Sequence, residues 1–394
     1  MSFNKKLAVR SRFVALEALS FGLKPLHTSL ISLLIIRLID IQFWGEFVFY
    51  LVAVQVCITF LNWGQKPYLL KKFSAQPNKI GEYWSKAFFA RTPLLIVVFC
   101  CLAIVPNLQT FFLPLLLWVS FRWGTVMFDS LIQFNRNYKA SIKAEVLSLI
   151  ASVILAFFWV EKIDLEGLIY IFAFSNGIKL SVLLPILPKN AIAFSSLRNI
   201  KPELLISFPF FALTLAGMFQ TKGDLYLATF LMDEAELGKY QVLVGFLLLG
   251  QAFSGILIGP FLKNVFRFNK KDVTGLKKGY LKVGLTISLL FTIVLYFLMR
   301  YVYLIDLKIE VALLIFACLA PLYFFLIESQ LLLKHKKEKQ LLKFTLIAAS
   351  VTFALSFLLI PLWGIQGALI SGVGGKVTLA LLVVKQSNKI EKSL

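Results

Sequence analysis

The chain has little of what a soluble enzyme uses. It holds two histidines and four cysteines in 394 residues. Cys57, Cys100, Cys101 and Cys318 all fall inside apolar runs, at spacings that suit neither a metal site nor an external disulfide framework, so they read as small buried apolar residues with no metal to hold. No GxxxxGK[ST] phosphate loop occurs, which argues against ATP-driven work by this chain alone. Acidic residues are scarce, 20 against 41 Lys and Arg. A net charge of +21 would suit nucleic acid, but the basic residues form short clusters between apolar runs and compose no basic face or recognition motif, so no nucleic acid is expected. Lys5, Lys6, Arg10 and Arg12 precede a long apolar run with no small-residue cleavage site, so no removable signal peptide is expected.

What is abundant is apolar length. The chain is 59 % hydrophobic with a mean hydropathy of +0.82. A membrane-crossing helix needs about 20 apolar residues, and about twelve stretches qualify. They run approximately over 13–38, 43–63, 87–106, 110–131, 144–160, 166–187, 204–231, 239–262, 280–299, 309–333, 342–361 and 365–385. Barrel strands would be shorter and would alternate polar with apolar residues. The fold class is therefore an all-α polytopic membrane protein, with two six-helix bundles around a central cavity: 1–190, a cytoplasmic linker at 191–203, and 204–394. The connections near 64–86, 188–203 and 263–279 read as linkers, too short for an extramembrane domain.

Every other connection is basic. Lys66, Lys71 and Lys72 lie in one such loop, Arg136, Lys139 and Lys143 in the next, and Lys334, Lys336 and Lys337 in a later one. The alternate connections are short and several are acidic, as at Asp164 and Glu166 or Asp233, Glu234 and Glu236. By the excess of Lys and Arg on cytoplasmic loops, both termini are expected in the cytoplasm. A weak repeat accompanies this phase. Gly45 lies 22 residues before Pro67 and Gly238 lies 22 before Pro260, while Asp40 and Asp233 each precede their glycine by five. The offset of 193 is close to half the chain and suits two like-oriented halves.

Several charges fall inside the spans. Lys24, Arg122, Lys179 and Lys376 lie near the middle of theirs, and Glu17, Ser20, Lys24 and Thr28 share one helical face. Thr214, Gly217, Thr221 and Asp224 form a polar stripe on the seventh span, with Lys222 roughly opposite, and Glu328 lies in the inner third of the tenth. Each such charge costs at least about 2.5 kcal/mol at a helix centre. Mutual pairing is one reading: Arg122 with Asp129, Lys222 with Asp224, Lys24 with Glu17. The other is a hydrated, net positive cavity in which Lys24, Arg122, Lys179 and Lys376 bind an anionic cargo such as a phosphate. His27 reads as a wall residue beside the stripe and His335 as a solvated one. Trp44, Trp63, Trp84 and Trp363 stand near span ends, as interfacial belts do, and Pro93, Pro209 and Pro321 mark kinks.

The stretch FPFFALTLAGMFQTKGDLYLATFLMDEAELGKYQVLVGF resembles the start of the second half of the polysaccharide-type flippases for lipid-linked oligosaccharides. Pro209, Asp224, Gly238 and Tyr240 match that pattern. Phe43-Trp44-Gly45-Glu46-Phe47 and Asn62-Trp63-Gly64 resemble the same family, as do Ile360-Pro361, Gly364, Gly367 and Ala368 in LLIPLWGIQGALIS. The resemblance covers essentially the whole chain. It implies the fold of the multidrug/oligosaccharidyl-lipid/polysaccharide exporters, in which two bundles rock between inward- and outward-open states. It also implies an undecaprenyl-pyrophosphate-linked oligosaccharide as cargo, in a bacterial inner membrane, for surface polysaccharide such as the O-antigen of lipopolysaccharide. Membrane lipids, a polysaccharide polymerase and a chain-length regulator are the implied partners. No cofactor is expected beyond Na⁺ or H⁺ coupling. Some relatives carry a cation site in the second bundle, which maps here onto Asp224 with Thr352 and Ser356 and leaves Glu328 as a second proton-coupling acid. Hydroxyls at Thr352 and Ser356 are poorer ligands for hard cations than the amide or acidic side chains of many relatives.

The expected function is transport without covalent chemistry, so the chain is not read as an enzyme. A multidrug or cation-coupled exporter of the same fold would want an acid-dominated cavity. A membrane glycan polymerase or ligase would need a long external loop, which the chain lacks, and an assembly scaffold would tolerate loss of the midplane cations.

Overall fold

The computed structural model describes residues 3–159, 163–188, 200–258, 270–335 and 337–393. All regular structure among them is helical. In chain order the helices are α1 (Phe3–Leu38), α2 (Ile41–Asn62), α3 (Gln65–Ala75), α4 (Ile80–Ile104), α5 (Phe112–Met127), α6 (Asp129–Asn135) and α7 (Tyr138–Phe158). There follow α8 (Leu165–Leu183), α9 (Ile200–Leu231), α10 (Glu234–Ile258), α11 (Lys270–Phe297), α12 (Ile309–Lys334) and α13 (Glu338–Ser393). Among the described residues 11 helical runs are long and apolar enough to cross a membrane, and the protein is a multi-pass membrane protein. The last run, Glu338–Ile390, is far longer than one crossing. It breaks at Gly364, whose φ of 49° and ψ of −124° are not helical, so α13 is two limbs meeting at a turn without a loop. Counted that way, the expected twelve spans are present.

Sequence explains where the helices start and stop. Asp40 and Asp233, the paired aspartates of the repeat, both act as N-caps. Asp40 Oδ1 accepts the Phe43 N–H at 2.6 Å and Asp233 Oδ1 accepts the Glu236 N–H at 2.7 Å. Asp164 does the same for α8 through the Gly167 N–H at 2.7 Å. The chain breaks after α2 where Trp63 and Gly64 both take positive φ. Pro25, Pro93, Pro209 and Pro321 sit inside continuous helices, and Pro361 lies three residues before the break in α13.

The connection at 64–86 is not a plain linker. Residues 65–75 form α3, because Tyr68, Leu69 and Phe73 give the segment a buried stripe. Likewise 270–279 is already helical in α11 and 200–203 in α9. Of the expected linkers, 189–199 and 263–269 lie outside the described residues, as do 259–262 at the end of the expected span 239–262.

Packing divides the chain into two units. The first comprises residues 1–45 and 216–394, and the second residues 46–215. The first long helix thus groups with the later spans, where the sequence halves would set it with the earlier ones. In the first unit α1 lies along α10, with Gly245 leaving space for the Ser29 hydroxyl and Tyr303 donating to the Ser29 carbonyl at 2.6 Å. The two repeat glycines meet there. A Cβ on Gly45 would stand 1.6 Å from the Glu234 carbonyl oxygen, and one on Gly238 would stand 2.5 Å from that of Ile41. Only glycine permits so close a crossing of the starts of α2 and α10. Trp44, expected at an interface, is fully buried here and donates its indole N–H to Gln241 at 2.8 Å. In the second unit α8 packs between α5 and α7, around the rings of Phe47, Trp118 and Phe172, whose centroids lie 4.9–5.7 Å apart. Trp84 is core as well, bonded to the Met127 carbonyl at 3.0 Å, and of the expected belt Trp363 is exposed. Cys100 and Cys101 are exposed on α4, whereas Cys318 is buried as expected.

Candidate functional site: charged side chains inside the spans

The intramembrane charges fall in both units. In the second unit, α5 carries Arg122, half-buried, which donates to Gln55 Oε1 at 2.9 Å. On α8, Lys179 makes an ion pair with Glu145 of α7 at 2.6 Å. Glu145 is 4 % exposed and had not counted among the intramembrane acids, because it lies close to the basic start of α7. A polar seam continues beside it: Ser175 donates to the Ser148 carbonyl at 3.3 Å and Ser148 to that of Glu145 at 2.9 Å.

The second unit also holds a charge that sequence reasoning passed over. Arg91 of α4 is fully buried. Its guanidinium donates to the carbonyls of Asn62 at 3.0 Å, Ala87 at 3.0 Å and Trp63 at 3.2 Å, and to the Ser207 hydroxyl at 3.2 Å. Two of those carbonyls are the unsatisfied ends of α2, so Arg91 closes the helix where the chain turns. Beside it Tyr68 donates to Glu203 at 2.7 Å. The available signal was an arginine inside the run AFFARTPLLIVV. Four residues from the expected span start, it reads as interfacial.

In the first unit Lys24 is half-buried on α1 and His27 is 7 % exposed. The most closely built group surrounds Asp224 of α9, which is 7 % exposed. Its Oδ1 accepts the Leu225 N–H at 2.8 Å. A Cβ on Gly372, in the second limb of α13, would stand 2.7 Å from its Oδ2. Lys376, one turn further along that limb and only 3 % exposed, is the opposite charge acting on the carboxylate. Tyr240 of α10, fully buried, brings its hydroxyl beside the same carboxylate without closing a well-formed hydrogen bond. The two limbs of α13 run antiparallel, in a register set by Gly375 against Thr352 and Gly374 against Leu355. That register brings Ser356 to the depth of Gly372. Thr352 and Ser356 are both fully buried, and Thr352 spends its proton on the Ala348 carbonyl at 3.1 Å.

Glu328 does not join this group. It pairs with Lys277 of α11 at 2.8 Å and accepts from Ser387. It lies ten residues beyond Cys318, the α12 residue beside Gly372. That is about 15 Å along the helix axis. The structure therefore brings Asp224, Lys376, Thr352 and Ser356 to one region and sets Glu328 apart. Among the described residues no three of His, Cys, Asp and Glu converge as a metal site. An apolar groove of about 360 Å³ in the second unit, lined by Trp84, Phe88, Trp123 and Leu180, carries no charge and does not belong to this set.

Residues 19–260 match the family described as "Polysaccharide biosynthesis protein". No curated protein sequence matches. Solved structures do. The lipid II flippase MurJ in an inward closed conformation aligns over 96 % of this chain and 87 % of its own, with a TM-score of 0.69 at 13 % identity. A multidrug resistance MATE family transporter of the MOP superfamily aligns in its inward-facing conformation over 97 % and 94 %, with a TM-score of 0.60 at 13 % identity. An outward-facing conformation aligns over 97 % and 95 %, with a TM-score of 0.56 at 12 % identity. At these identities the likeness concerns the fold.

Proposed function

Because the chain belongs to the polysaccharide biosynthesis protein family and has the fold of a flippase or exporter of the MOP superfamily, we propose that it moves a lipid-linked oligosaccharide between membrane leaflets. The cargo on this reading is an undecaprenyl-pyrophosphate-linked repeat unit, carried from the cytoplasmic to the outer leaflet of a bacterial inner membrane by alternating access. The product feeds surface polysaccharide such as O-antigen, through a polymerase and a chain-length regulator. Both termini lie in the cytoplasm.

The observation that carries the reading is the presence of Lys24 and Arg122, half-buried cations within membrane-length helices of a family devoted to polysaccharide synthesis. Inside a membrane an ionisable side chain marks a cargo or ion route by default, given what its burial costs. Pyrophosphate is an anion that guanidinium and ammonium groups bind well. Lys179 contributes less on this reading, since Glu145 already neutralises it.

Complementation tests the assignment. In a host whose surface glycan depends on this chain, Lys24→Ala and Arg122→Ala each lower surface glycan by roughly tenfold, equivalent to about 1.4 kcal/mol of cargo binding, at unchanged membrane levels of protein. Unchanged glycan in both variants removes the cargo role of these cations. Efflux of cationic dyes by the unaltered protein would place it with the multidrug exporters instead.

A further inference from the structure

Beside its charged groups, the second unit holds an apolar groove that the cargo reading leaves unused. Its walls come from α4, α5 and the end of α8. Trp84 stacks on Phe88 at 5.4 Å and Phe88 on Trp123 at 5.0 Å, so the rings make one aromatic wall across α4 and α5. Ser120 and Gly124, one turn apart on α5, line it as well and are too small to close it. We infer that the groove seats one acyl chain of an anionic phospholipid, drawn from the leaflet at the basic ends of these helices.

Depth and charge select that occupant. Trp84 and Phe88 lie four and eight residues after the start of α4 at Ile80. Trp123 lies four residues before the end of α5 at Met127, and Leu180 and Leu184 flank the end of α8 at Leu183. The groove therefore lies within about 12 Å of these three ends, at 1.5 Å per residue. The chain at the same ends is basic. Lys71 and Lys79 precede α4, Arg136, Lys139 and Lys143 follow α6 directly, and all five are exposed. Within 64–143 the one exposed acid is Glu82, and Lys86 already pairs with it at 2.6 Å. Such a rim attracts an anionic headgroup, while the walls below it take hydrocarbon.

Trp123 adds an independent observation. It is 4 % exposed and its indole N–H finds no acceptor in the protein, although a buried indole N–H usually has one. Trp84 shows the usual case, donating to the Met127 carbonyl at 3.0 Å. A phospholipid brings ester and phosphate oxygens that accept hydrogen bonds close to the helix ends, where Trp123 lies. A volume of about 360 Å³ is near the lower limit of ligand sites, roughly 300–1,000 Å³, and suits part of a single chain. A groove confined to one end of the helices serves one leaflet. It fits a resident lipid better than the chain of a cargo that changes leaflets. The inference does not depend on the cargo assignment, because lipid retention is read on the purified protein.

Native mass spectrometry and thermal unfolding of the purified full chain test it, with phosphatidylglycerol and phosphatidylcholine of matched chains as probes. The unaltered protein is expected to retain one phosphatidylglycerol more firmly than phosphatidylcholine, and to unfold at a higher temperature with the former. Equal effects of the two lipids overturn the inference. Ser120→Leu, which fills the groove, should lose both the retained lipid and the difference between the probes. Trp123→Phe keeps a ring and removes the donor, so it should bind phosphatidylglycerol about fivefold more weakly, the worth of one hydrogen bond. Lys79→Gln combined with Lys139→Gln should bring the two lipids level. Should Ser120→Leu fail to fold, the other two variants decide. Retention unchanged in every variant that folds overturns the inference. So does displacement of the phospholipid by polyprenyl phosphate, which would give the groove to the cargo chain.

Discussion

Arg91 shows how one side chain in this protein answers a backbone problem. The last carbonyls of α2 are part-buried, and the planar fork of the fully buried Arg91, with its several donors, meets them together. Arg91→Met should cost about 3 kcal/mol or more, since each orphaned buried acceptor costs about 1–3 kcal/mol. It would register as a fall in unfolding temperature and in yield of folded protein. Arg91→Lys keeps the charge but not the fork, so it should recover less than half of the loss. Sequence made Lys24, Arg122, Lys179, Lys376 and Asp224 visible because each interrupts an apolar run. It hid their partners. Glu145 and Lys179 sit on neighbouring helices, 34 positions apart in the chain, and neither helical periodicity nor hydropathy states which faces meet. The split between Asp224 and Glu328 was hidden for the same reason.

At the scale of helices, pattern was far more informative. Continuous apolar runs admit one solution in a bilayer, so the spans were legible to within several residues. The ends were less so, because α3 and the first turns of α11 are polar enough to look like loop. The weak repeat of Asp and Gly gains physical content here. Asp40 and Asp233 cap equivalent helices, and Gly45 and Gly238 allow those helix starts to touch. Asp40→Ala or Asp233→Ala should each cost about 1 kcal/mol, the usual worth of an N-cap. Gly45→Ala should cost considerably more, because its methyl meets a backbone carbonyl that cannot move without displacing α10. Side-by-side thermal unfolding of the three variants checks the order, which is reversed if the glycine contact is incidental.

For the whole molecule the alternation of basic and acidic connections predicts an orientation that can be measured. Single cysteines replacing Asp306 or Glu236 should react with a membrane-impermeant maleimide added to intact cells, in a background where Cys57, Cys100, Cys101 and Cys318 are replaced by serine. Cysteines replacing Lys72 or Lys337 should react after the cells are opened and not before. The reverse pattern would invert the topology and with it the direction of transport.

The break at Gly364 has a consequence for how the protein is made. The 53 residues from Glu338 to Ile390 hold two helical limbs that meet directly at Gly364, with no loop between them. The trailing limb, burdened by Lys376, would be a reluctant guest in lipid by itself. Folded back on the apolar leading limb, it has that charge covered by protein in place of lipid, so the two limbs are expected to enter the membrane as a pair.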